Sequence, residues 1–245
     1  ERTLILGWNW RAPAIINELD QYVPAGSVVT VVAEDDAAAA TLEERCADLR
    51  HQAIHFQAGD TTDRRTLDGL DIPSYQHGIL LCYSERFDVQ QADARTLITL
   101  LHLRDIASLH GDVFSIVSEM LDSRNRNLAE ITQADDFIAS DRLVSLMLAQ
   151  VAENKALNAV FADLFDPEGA EVYLRPASHY VKTDAPLDFY TVVEAARQRG
   201  EVAIGYRQAG YSMDKARAYG VSVNPNKAAP ITFAQDDMII VLAEG

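Results

Sequence analysis

The chain predicts an α/β fold: a doubly wound parallel sheet of the Rossmann type, then a helical arm, then a small α+β lobe. Three observations carry this. Apolar, β-branched runs alternate with helical patterns over residues 1–140, which calls for a parallel sheet covered on both faces. The stretch 141–165 is wholly helical in pattern. After the turn signal Asp166-Pro167-Glu168-Gly169 the chain changes to short strands around one helix. The expected division is therefore 1–140, 141–165 and 166–245.

Taken in order, strands are expected at Thr3–Leu6, Ser27–Ala33, Ala53–Gln57, Gly78–Cys82 and Val113–Val117, with a shorter one at Phe137-Ile138. Between them, Ala12, Ile15, Ile16 and Leu19 share one helical face. The Ala37–Leu49 stretch is rich in helix formers, and Ala94, Leu97, Ile98 and Leu101 mark a longer helix. Right-handed crossovers make the doubly wound topology the simplest arrangement of these units. In the arm, Leu143, Leu146, Met147 and Val151, then Leu157, Val160, Phe161 and Leu164, recur at helical spacing, with a break at Asn154-Lys155. Such an arm either caps the sheet or crosses to a partner subunit. The last lobe is expected to place strands at Glu171–Leu174, Val202–Tyr206 and Met238–Leu242 around a helix at Phe189–Gln198.

Composition narrows the function. Of 245 residues, 48% are hydrophobic, which is ordinary for a globular chain. A formal net charge of −16 argues against nucleic acid and against anionic lipid as partners. It is compatible with divalent cations, though an acidic surface mostly confers solubility. Cys46 and Cys82 are too few and too far apart for a disulfide framework or a zinc site, so a reducing compartment is expected. No apolar run approaches the length of a membrane span. The chain begins at Glu1 and enters its first strand almost at once, as a piece of something longer would.

The first strand runs into Gly7-Trp8-Asn9-Trp10-Arg11-Ala12, where a phosphate loop of the form G-x-G-x-x-G belongs. Two readings stand. Backbone N–H groups at the helix start face an anion, helped by the helix dipole, with Arg11 adding a contact and Asn9 replacing glycine by virtue of its tolerance for left-handed backbone. Or the segment is a plain strand-to-helix turn that keeps only the glycine it needs sterically. Glu34-Asp35-Asp36 ends the second strand, where a carboxylate holds an adenine ribose; as helix-start acids they need no ligand. Gly59-Asp60 follows the third strand, so Gly7, Glu34 and Asp60 are expected to converge on one crevice. His51 and His55 straddle a strand start and make a poor metal pair; no Ser-His-acid set stands out. The chain is expected not to be an enzyme. A nucleotide-dependent oxidoreductase, with only His179, Tyr180 and Lys182 as polar groups in the last lobe, is the alternative, and a structural domain with a lost ligand site is a third.

Longer strings say more. "ERTLILGWNWRAPAIINELDQYVPAGS", "QADARTLITLLHLRD", "SIVSEMLDSRNRNLAEI", "DRLVSLMLAQVAEN" and "FYTVVEAARQRGEVAIGYR" resemble the CASTOR/POLLUX family of ion channels, and within it the second of two tandem RCK domains. The resemblance implies a Rossmann-like RCK N-lobe, a helical crossover that clasps a neighbouring RCK domain, and a small C-lobe. It implies a cytoplasmic gating-ring domain beneath a membrane pore, with nucleotides such as NAD or ADP, or calcium, as effectors. Carried over to this sequence, the crevice residues are Gly7, Trp8, Asn9, Arg11, Glu34, Asp35 and Asp60. The self-association residues are Leu146, Met147, Leu157 and Phe161. Asn9 and Ala12 stand where NAD-binding relatives carry glycine; the Gly-Trp and arginine string is usual in second-RCK members.

Overall fold

Alternation along the first strand sets the layering. In a computed structural model that describes residues 1–110, 115–125, 136–166, 169–212 and 214–244, β1 (Arg2–Leu6) sends Leu4 and Leu6 to one face and Ile5 to the other. Leu4 and Leu6 pack with Leu67 of α3 (Arg64–Asp68) and with Leu100, Leu103 and Ile106 of α4 (Val89–His110). Ile5 packs with Ala12 and Ile16 of α1 (Ala12–Tyr22) and with Ala38 and Leu42 of α2 (Ala38–Arg45). A strand with apolar side chains on both faces needs helices on both, and the chain supplies them in pairs.

The remaining strands of this unit are β2 (Ser27–Ala33), β3 (Gln52–Ala58), β4 (His77–Leu80), β5 (Ser115–Met120) and β6 (Asp136–Ala139). They form one six-stranded parallel sheet in the order β3-β2-β1-β4-β5-β6. That is the Rossmann order, with its reversal between β1 and β4. Every expected strand is present. β4 stops at Leu80, two residues before the expected end, and β5 runs three further than expected. Residues 113 and 114 lie outside the described residues.

The long helix is present, but the apolar stripe that marked it faces out. Ala94, Ile98 and Leu101 are exposed, whereas Ala92, Asp93, Thr96, Thr99, Leu100 and Leu103 are buried. Three polar side chains hold the inward face because each has a partner there. Asp93 accepts from the N–H groups of Leu121 and Asp122 and from Asn125 Nδ2, Thr99 Oγ1 donates to the Thr61 carbonyl, and Thr96 meets Cys82 Sγ.

The chain divides into two units, 1–153 and 154–245. The expected arm spans that division: α5 (Ser140–Glu153) belongs to the first unit and α6 (Leu157–Leu164) to the second. The break falls at Asn154, whose side-chain oxygen accepts from the Ala156 N–H at 3.1 Å. Leu143, Val144, Leu146, Leu148 and Val160 are all about half or more exposed, and α6 buries none of its residues.

In the second unit, β7 (Ala170–Pro176), β9 (Val202–Arg207), β10 (Val221–Val223) and β12 (Met238–Glu244) make an antiparallel sheet in the order β10-β9-β12-β7. β8 (Pro186–Asp188) pairs with β11 (Pro230–Thr232). One sheet face packs on α7 (Phe189–Arg197): Phe189, Val192 and Ala196 meet Phe233, Ile239 and Val241. Asp188 caps this helix by accepting the Thr191 N–H at 2.9 Å.

Candidate functional site

The reversal point of the sheet lies between β1 and β4, and the loop after β1 sits beside it. Gly7 has φ +94°, and a Cβ there would lie 2.0 Å from the Leu81 carbonyl oxygen. The glycine is therefore required by backbone sterics whether or not a ligand binds. Trp8 is buried among Ile5, Ala12, Leu81 and Tyr83. Asn9 is 1% exposed and is absent from the residues with positive φ, so its place is not owed to left-handed backbone. Its side chain accounts for it. Asn9 Oδ1 accepts the Arg11 N–H at 3.0 Å, while Nδ2 donates to the Cys82 carbonyl at 2.9 Å and to Glu119 Oε2 at 2.8 Å.

Glu119, near the end of β5, is the residue on which this end of the crevice closes. It is 8% exposed. Besides the Asn9 amide it takes the Cys82 N–H at 3.2 Å and forms an ion pair with Arg11. Cys82 lies beneath, its Sγ donating to the Glu119 carbonyl. Burial, reinforced by the nearby Glu119 and Asp93 carboxylates, pushes the Cys82 thiol up to about 12, which makes it inert. Both cysteines are free and buried.

A second cluster forms where β2 and β3 end. Arg95 of α4 donates to Glu34 Oε2 at 3.1 Å and to Asp60 Oδ1 at 2.6 Å. Its guanidinium lies 5.6 Å from the Tyr83 ring centroid and 5.0 Å from that of Phe87. Arg86 takes the other oxygen of Glu34, and the Glu34 N–H donates to Tyr83 Oη. Asp60 also accepts from the N–H and hydroxyl of Thr62. Burial pushes its carboxyl up, but the Thr62 bonds and Arg95 outweigh that and hold it below the usual range. Asp35 accepts the Ala37 N–H and so serves the start of α2.

The expected residues thus fall into two groups, Gly7, Trp8, Asn9 and Arg11 around Glu119, and Glu34 and Asp60 around Arg95. The sequence reading did not include Glu119 or Arg95. An acidic letter within the apolar "SIVSEM" was the one signal for the first. Among the described residues no group of three or more His, Cys, Asp or Glu could hold a metal. His51 serves a different purpose: it joins Arg50 and Gln52 in presenting backbone N–H groups to the buried Asp20 carboxylate of α1.

No protein-family model matches the chain. It is 31% identical to the ion channel DMI1 of Medicago truncatula over 280 residues, covering all of this chain and 31% of that protein. It is 29% identical to the probable ion channel POLLUX of Arabidopsis thaliana (99% of this chain, 33% of that protein) and to the ion channel CASTOR of Lotus japonicus (100% and 32%). The chain matches ion channels of the CASTOR/POLLUX type from end to end. It spans about a third of the length of these CASTOR/POLLUX relatives. The fold resembles that of the human SLO3 gating ring, which aligns over 100% of this chain and 44% of its own, with a TM-score of 0.64 at 12% identity. Among the described residues no helix is long and apolar enough to cross a membrane.

Proposed function

We propose that this chain is a cytosolic regulatory domain of a CASTOR/POLLUX-type cation channel, contributing to a gating ring that couples ligand binding to pore opening. The carrying observation is the end-to-end match to ion channels by a chain that folds like the SLO3 gating ring and has no candidate membrane helix among its described residues. The remainder of such a channel, a tandem RCK domain and a pore, would come from outside the stretch matched here. Residues 1–140 would be the N-lobe, 141–165 the crossover and 166–245 the C-lobe. Gating would be a population shift: an effector that binds one arrangement of the ring about tenfold better supplies about 1.4 kcal/mol per site. NAD, ADP and calcium are the effector classes to titrate, with Gly7, Trp8, Asn9, Arg11, Glu34, Asp35 and Asp60 as the crevice.

The exposed Leu143, Val144, Leu146 and Leu148 of α5 and Val160 of α6 support self-association, since a soluble monomer rarely leaves so many such groups in water. The expected contacts are Leu146, which is exposed, and Met147, Leu157 and Phe161, which are half-buried. Sedimentation velocity at high concentration should show a dimer or larger, and Leu146→Asp with Leu157→Asp should shift it to monomer. A wild-type monomer, or a dimer indifferent to both changes, would sink the reading. Turnover of any hydride donor would favour the oxidoreductase alternative instead.

A further inference from the structure

We propose, independently of the channel reading, that the Rossmann crevice of this chain is filled by its own side chains, with the Glu119 carboxylate in the place of a ligand's phosphate. No dinucleotide is then held at the Gly7 loop. Such a loop grips a pyrophosphate with backbone N–H groups at the start of its helix, and a carboxylate after the second strand takes the ribose hydroxyls. Here three such groups have partners within the chain. The Trp10 N–H donates to the Glu85 carboxylate, the Arg11 N–H to Asn9 Oδ1 and the Ala12 N–H to the Asn9 carbonyl, while Pro13 has no N–H.

Three other donors meet at this loop, the Asn9 amide, the Cys82 N–H and the Arg11 guanidinium, and all three end on Glu119. An amide, a backbone N–H and a guanidinium are the set that recognises an oxyanion, and Glu119 is that oxyanion. At the other end both oxygens of Glu34 are taken by Arg86 and Arg95. The space among Leu6, Thr61, Tyr83, Arg95, Thr96 and Thr99 is about 10 Å³, room for one water. The residues present do not fit a dinucleotide. They describe an anion site whose occupant is covalently part of the chain.

Removing that carboxylate should therefore uncover a site for a small oxyanion. Thermal unfolding and calorimetric titration with inorganic phosphate, ADP and NAD, against chloride at matched ionic strength, compare wild type with Glu119→Ala. Wild type should give no saturable signal at the crevice. Glu119→Ala should melt lower, with phosphate restoring part of the loss and Arg11→Gln in the same background abolishing the restoration. Glu119→Ser, which keeps a short acceptor on the Asn9 and Cys82 side and still opens the space, should fold where the alanine variant does not and should respond to phosphate more than wild type does. NAD or ADP binding to wild type that weakens tenfold or more in Glu34→Ala or Asn9→Gly overturns the proposal. So does a folded Glu119 variant no more sensitive to phosphate than wild type. Nucleotide binding unaffected by both crevice substitutions lies elsewhere and agrees with a filled crevice.

Discussion

The two ends of the crevice use the same chemistry in different surroundings. At the Gly7 end the Glu119 side chain is 9% exposed and meets Arg11, the Asn9 amide and a backbone N–H. At the other end Arg95 joins Glu34 and Asp60, whose side chains are 42% and 40% exposed. Water competes for the second cluster and is largely excluded from the first. A charge whose partner is lost while buried keeps its full desolvation cost, whereas an exposed one is simply rehydrated. The ends therefore differ in what they contribute: the buried one fixes β1, β4 and β5 relative to the loop, and the exposed one is adjustable.

The largest effect that tests this contrast is Glu119→Ala, which leaves the buried Cys82 N–H unpaired, takes one acceptor from Asn9 Nδ2 and removes the counter-charge of Arg11. In phosphate-free buffer it should lower unfolding stability by about 3 kcal/mol, measured by urea denaturation. A loss under about 1 kcal/mol would erase the difference between the two ends. Glu34→Gln comes next, at no more than about 1 kcal/mol, and that contribution should fade as salt is raised while that of Glu119 persists.

The smallest effect is in pH. Asp60 has a carboxyl held below its unfolded value, so the unfolded chain takes up the proton first on acidification. The stabilisation it provides is present above about pH 4 and is lost as pH falls through its lower folded pKa. Asp60→Asn should flatten the acid limb of a stability-pH profile slightly; a steeper limb would contradict the sign. Asp20, buried and accepting three backbone N–H groups, is also held below its usual value despite burial, and provides a second acid-sensitive contribution of the same sign.

Much of the framework was legible in the letters. Strands and helices are local patterns, with side chains alternating at period 2 or recurring near 3.6, so "TLIL" and "SVVTVVA" announce buried strands without reference to anything distant. The long helix shows where that stops. Ala94, Leu97, Ile98 and Leu101 reveal the helix but not its inward face, which Leu100 and Leu103 share with Asp93, Thr96 and Thr99, polar residues whose hydrogen-bond partners lie beneath the helix. Hydrophobicity predicts burial only where polar groups lack such partners.

By itself the sequence determined the Rossmann-type layering, the need for Gly7 after β1, and the resemblance that led to the channel relatives. Each of these is written in consecutive residues or in strings long enough to be matched. What fills the crevice was decided by the tertiary structure. Glu119 reaches Asn9 across 110 residues, and Arg95 reaches Glu34 across 61. Those meetings depend on the register of parallel strands that are not neighbours in sequence. An acidic letter in a strand is only a charge until the sheet closes around it; then three donors converge on it and it becomes the occupant of the site.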